Sequence, residues 1–193
     1  YLAEYGGSAY ANDVQFGLGA HYCMVGDDVK AEMELKKVDY RTLSPAQKDQ
    51  YDLRMGYMAF KRGDYPDAER YFSRIVPTSE YADHATYYKS YMAYARGDYD
   101  VARNGFTSLT QSPLYRDLMP YYLMQIDFKS GNYRAVVNSG DALMQNTTEE
   151  HALQIRRMMA ESWFQLDDYK GAVKYMNAYK SPGGKMGRLE NYI

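Results

Sequence analysis

Residues 53–75 read LRMGYMAFKRGDYPDAERYFSRI. Leu53, Gly56, Tyr57 and Phe60 fall at helical spacing before the triplet Gly63-Asp64-Tyr65, and Ala68, Phe72 and Ile75 fall at helical spacing after it. Each predicted helix therefore has one apolar face. Glycine tolerates the left-handed backbone that closes a first helix, and the aspartate or asparagine behind it can accept the free amides that open a second. The expected unit is two helices joined by a tight turn.

The unit repeats. Gly97-Asp98-Tyr99 and Gly131-Asn132-Tyr133 follow at intervals of 34 residues, with Gly26-Asp27-Asp28 lying 37 residues before the first triplet and Asp167-Asp168-Tyr169 lying 36 after the last. After each turn comes a small side chain, Ala31, Ala68, Ala102, Val136 and Ala172, and the matching first-helix position holds Gly19, Gly56, Ser90, Met124 and Ala160. Small residues let two helix backbones approach closely. Leu35, Phe72, Phe106 and Met176 supply bulk one turn further on, where only Gly140 departs from the pattern. Met124 and Gly140 read as a compensated exchange of large for small, with a changed helix crossing around them.

This constellation resembles the tetratricopeptide repeat (TPR) family, whose 34-residue unit has small residues, a Gly-Asp-Tyr-like turn and an aromatic at these places. The resemblance covers nearly the whole chain. It implies an all-α, TPR-like solenoid of antiparallel helix pairs forming a right-handed superhelix, a single domain over 1–193 with about five repeats, roughly 12–45, 49–82, 83–116, 117–150 and 153–186. Partial repeats are expected at both ends. Tyr1 to Tyr5 read as the tail of a preceding second helix and Arg188 to Ile193 as the start of a following first helix, so the chain reads as a fragment of a longer protein. Before the second repeat, Ser44, Pro45 and Gln47 form a predicted capping box at the end of a three-residue insertion. Serines at Ser8, Ser79 and Ser112, each followed two residues later by a tyrosine or leucine, read as helix caps. The Ser-x-Tyr-Ala form of this junction resembles TPR proteins of the Gram-negative bacterial envelope, which implies an envelope or periplasmic location.

Several function classes fall away on composition. The net charge of −2 without a basic block argues against a nucleic-acid partner. One cysteine, Cys23, allows no intrachain disulfide framework and no multi-cysteine metal site. No apolar run is long enough to cross a membrane as a helix. His21, His84 and His151 stand in different repeats, the paired aspartates sit at turns and caps, and no glycine-rich phosphate loop occurs. The expectation is no catalytic residue, no metal and no cofactor.

Function is then expected on the concave face that the family builds from first helices. Counting from the turn glycines, the resemblance implies a groove holding Tyr57, Phe60, Tyr87, Tyr91, Tyr94, Tyr121, Gln125 and Phe128, a tyrosine-rich stripe that suits capture of a peptide or partner protein. The charged carboxylate clamp of chaperone-binding relatives is missing, since its places hold Phe16, Gly17 and Ala20, then Leu53, Arg54 and Tyr57. Two alternatives remain at this level: a glycan receptor, for which stacked aromatics also serve, and a purely architectural spacer.

Overall fold

The structure is a computed structural model that describes residues 10–179. Among these residues every regular element is a helix. The chain divides into two compact units, Tyr1–Met92 and Ala93–Ile193. The first holds α1 (Ala11–Met24), α2 (Asp28–Leu35), α3 (Pro45–Lys61), α4 (Tyr65–Phe72) and most of α5 (Ala82–Arg96). The second holds the end of α5, then α6 (Tyr99–Ser108), α7 (Met119–Lys129), α8 (Tyr133–Met144), α9 (Glu149–Gln165) and α10 (Tyr169–Tyr179). The segments at Tyr1–Tyr5, Ser8 and Arg188–Ile193 read from sequence lie outside the described residues.

All five turns are built alike. Gly26, Gly63, Gly97 and Gly131 have φ between 75° and 84°, and Asp167 takes the same left-handed place at φ 60°. In each, the amide after this residue donates to the carbonyl five residues earlier, as Asp64 does to Ala59 at 3.0 Å and Asp168 to Trp163 at 3.0 Å. Asp27, Asp64, Asp98 and Asp168 then accept from the amide three residues on, which secures the second helix. Asn132 makes no such cap; its side-chain amide donates instead to Asp127 at 3.3 Å.

The small positions do what their size permits. Ala31, Ala68, Ala102 and Val136 are fully buried, and Ala172 nearly so. A Cβ on Gly19 would lie 2.6 Å from Leu35, and one on Gly56 would lie 2.7 Å from the Phe72 ring, so glycine is what admits these side chains. Gly140 is different: a Cβ there would lie 2.8 Å from Cγ of Met159 on α9. The bulk missing from α8 is supplied by the following helix, beside the buried Met124.

The capping box is present, with Gln47 N–H donating to Ser44 Oγ and Ser44 N–H to Gln47 Oε1 at 2.9 Å. The serine caps expected at Ser79 and Ser112 are not helix caps. Each hydroxyl accepts from the amide two residues on, Tyr81 and Leu114, folding a local turn ahead of α5 and α7. The insertion before α3 becomes a short 3-10 turn, Tyr40–Thr42, held by the Asp39 carboxylate and by Asn12 of α1.

Candidate interaction surfaces

In the first unit, α3 and α5 bring four of the predicted residues together. The Phe60 ring lies 5.5 Å from that of Tyr91, Tyr87 lies 6.3 Å from Tyr91, and Tyr57 reaches the set through Tyr88 at 5.6 Å. Tyr57 is 41% exposed with Lys61 over its ring, while Phe60, Tyr87 and Tyr91 are partly exposed. Tyr88 is the residue that sequence reasoning missed. It stacks on the buried Phe72 at 5.1 Å with planes 9° apart and touches Phe60, Tyr57 and Tyr87. Burial first, then the neighbouring phenols, pushes its hydroxyl up to about 12. The signal was available: Tyr88 stands nine residues before its turn glycine, and so does Tyr122, which stacks on Phe106 at 4.9 Å.

In the second unit the predicted residues separate. Tyr94 is partly exposed, with Tyr99 at 5.9 Å and Tyr122 at 6.3 Å, and Phe128 leans edge-on against Tyr133 at 6.1 Å. Tyr121 is placed in the core, 6% exposed, stacked on His151 at 4.0 Å. Burial raises its hydroxyl pKa, and the side chain of the partly exposed Gln125 is its hydrogen-bond partner. Tyr121 and Gln125 thus form a support more than a surface.

Two further features were not read from sequence. In the first unit Asp52 is fully buried; Tyr40 donates to its carboxylate at 2.6 Å and Arg74 approaches at 3.5 Å. Burial lifts this carboxyl above the ordinary range, against the pull of the Tyr40 hydrogen bond and the Arg74 charge, and the Tyr40 hydroxyl is raised in turn. In the second unit a surface cavity of about 610 Å3 opens between α7 and α8, floored by Pro120, Leu123, Met124 and Leu143 and walled on α8 by Ser139 and Ala142. Arg116 and Asp117 stand at its linker side, and Asp127 lines it while paired with Arg103 of α6 at 2.6 Å. Among the described residues no group of three His, Cys, Asp or Glu side chains is arranged to hold a metal, and no helix is long and apolar enough to cross a membrane.

No protein-family model matches the chain, and no curated protein matches it by sequence. Among solved structures the chain is similar to MamA AMB-1, with a TM-score of 0.73 and 12% identity over 96% of this chain and 99% of that one. It is also similar to a point mutant of MamA, with a TM-score of 0.70 and 14% identity over 94% of this chain and 98% of that one. At such identities the likeness is one of fold: the chain has an all-α, TPR-like helical-repeat fold built of antiparallel helix pairs.

Proposed function

We propose that this chain is a non-catalytic interaction module that holds a protein or peptide partner through aromatic faces on its first helices. One observation carries the reading: on α3 and α5 of the first unit, Tyr57, Phe60, Tyr87 and Tyr91 keep exposed ring surface while packing on one another and on Tyr88. Rings already held by neighbours lose little conformational freedom when a partner covers them, which is the behaviour of interface hot spots. Tyr94 and Phe128 offer partly exposed aromatic rings in the second unit, while Tyr121 is buried there. An envelope or periplasmic location goes with this proposal, resting on the Ser-x-Tyr-Ala junctions alone.

The test is selection from a random peptide display library, followed by titration of the selected peptides against the chain and against Tyr57→Ala combined with Tyr91→Ala. The double variant should lose about tenfold or more in affinity with its helical circular dichroism unchanged. Selection of no saturable binder, or equal affinity for the variant, removes the reading and leaves a spacer.

A further inference from the structure

Counting from the turn glycine puts the helix pairs in one frame. Eleven residues before it, eight after and eleven after stand Gln15, Glu34 and Lys37 in α1/α2, then Asp52, Tyr71 and Arg74 in α3/α4, and Pro120, Ser139 and Ala142 in α7/α8. In the first pair these side chains close on one another: Gln15 donates to the Glu34 carbonyl at 3.1 Å and Lys37 pairs with the Glu34 carboxylate at 2.8 Å. In the second pair Asp52 and Arg74 meet, and an aromatic side chain from the linker joins them. Tyr40 donates its hydroxyl to Asp52, its ring lies 5.3 Å from Tyr51, and Lys48 and Arg74 each stand 5.7 Å from its centre. In the last pair the corresponding Tyr175 is 6% exposed and donates to Asp141 at 2.7 Å.

In α7/α8 all three positions are too short to meet, and the slot is the open cavity. One cation of the Tyr40 site has a counterpart by sequence step, with Lys48 on α3 and Arg116 in the linker before α7. Lys48 stands fifteen residues before its turn glycine, and the residue at the same step in the second unit is Arg116, which lines the cavity. We propose that this cavity receives one aromatic side chain from a short segment of a partner peptide, entering as Tyr40 enters its own slot, with Arg116 laid over the ring. Pro120 stands where Asp52 stands, and Asp127 and Ser139, which also line the cavity, are held by Arg103 and by the Ala135 carbonyl, so phenylalanine is received at least as well as tyrosine. The site is distinct from the aromatic faces, because Pro120, Leu123, Met124 and Asp127 lie about a third of a turn around α7 from Gln125 and Phe128.

The probe is the synthetic nonapeptide Lys-Lys-Val-Asp-Tyr-Arg-Thr-Leu-Ser, which copies residues 36–44, together with versions carrying phenylalanine or alanine in place of its tyrosine. Each is titrated into the isotope-labelled chain and followed by amide chemical shifts. Saturable shifts confined to Arg116, Leu123, Ala142 and Asn146 are expected. The phenylalanine peptide should bind at least as tightly as the tyrosine peptide, and the alanine peptide about tenfold or more weakly. Filling the slot with Ser139→Tyr and Ala142→Arg together should abolish these shifts, whereas Tyr57→Ala with Tyr91→Ala should leave them intact. No saturable shift, equal binding of the alanine peptide, or shifts centred on the Tyr40 slot of the first unit would overturn the proposal. If the filled variant loses helicity, Arg116→Ala decides: weaker binding of the phenylalanine peptide supports the site, and unchanged affinity overturns it.

Discussion

The pairs α3/α4 and α7/α8 have the same turn and the same register but differ in what fills the space between their helices. In α3/α4 the first helix is small at Gly56 and the second is large at Phe72, while Tyr71, Arg74 and Tyr40 close the side of the pair over Asp52. In α7/α8 the sizes are exchanged, with Met124 on the first helix and Gly140 on the second, and the side of the pair stands open as a cavity. The turn is local chemistry, settled by one left-handed residue and its successor, so it survives in all five copies. Filling is a property of several helices at once, and it can be redistributed: Met159 reaches back from α9 into the room at Gly140, which leaves the outer slot unfilled.

The largest effect expected from breaking this comparison is in the core. Phe72→Ala removes a fully buried ring that Gly56 and Tyr88 enclose, and should cost about 3–5 kcal/mol in urea unfolding. The equivalent bulk in the second unit belongs to Met159, also fully buried, so Met159→Ala should cost at least about 2 kcal/mol. A cost for Met159→Ala below about 1 kcal/mol would mean that Met124 alone fills the space, and the exchange would be confined to one pair.

A smaller change isolates the closed slot. Tyr40→Phe keeps the ring between Lys48 and Arg74 but takes the hydroxyl away from a carboxylate that has no exposed surface. The loss should be about 1–2 kcal/mol, because one Asp52 oxygen is left without its donor while the packing is kept. A neutral result would assign the closure of this slot to Arg74 and ring packing, and the hydrogen bond would be incidental.

The same division between local and shared chemistry decides what was legible in the sequence. The turn glycines, the aspartate caps, the Ser44–Gln47 box and the Gly19–Leu35 and Gly56–Phe72 contacts each depend on spacing within one repeat, and each is found where spacing puts it, whereas Asn132, at the step of the aspartates, makes no cap. Ser79 and Ser112 were misread because a serine that folds a two-residue turn and one that caps a helix look alike until the helix start is known, and α5 and α7 begin later than the pattern suggested. Exposure of an aromatic depends on the next helix. Tyr121 and Tyr87 occupy the same step before their turns, yet His151 of α9 covers the first, while the second keeps exposed surface. The cavity is lined by the linker, α7 and α8 together, and no single residue announces that.

The smallest expected effect concerns the one turn whose leading residue is not glycine. Asp167 sits at φ 60°, where a side chain costs about 1–2 kcal/mol, less for aspartate, whose short polar group bonds locally. Here that bond is Tyr169 Oη–H donating to Asp167 at 3.3 Å. Asp167→Gly relieves the backbone but loses the bond and loosens the unfolded chain, so the net gain should be no more than about 0.5 kcal/mol. The reverse change, Gly131→Asp, meets nothing closer than Tyr133 at 4.0 Å, so its cost is backbone alone, about 1 kcal/mol or less. Thermal unfolding of both variants gives the comparison directly. A loss of more than about 0.5 kcal/mol for Asp167→Gly would show that the Tyr169 bond, rather than backbone freedom, holds this turn, and the five turns would then share a geometry without sharing its cause.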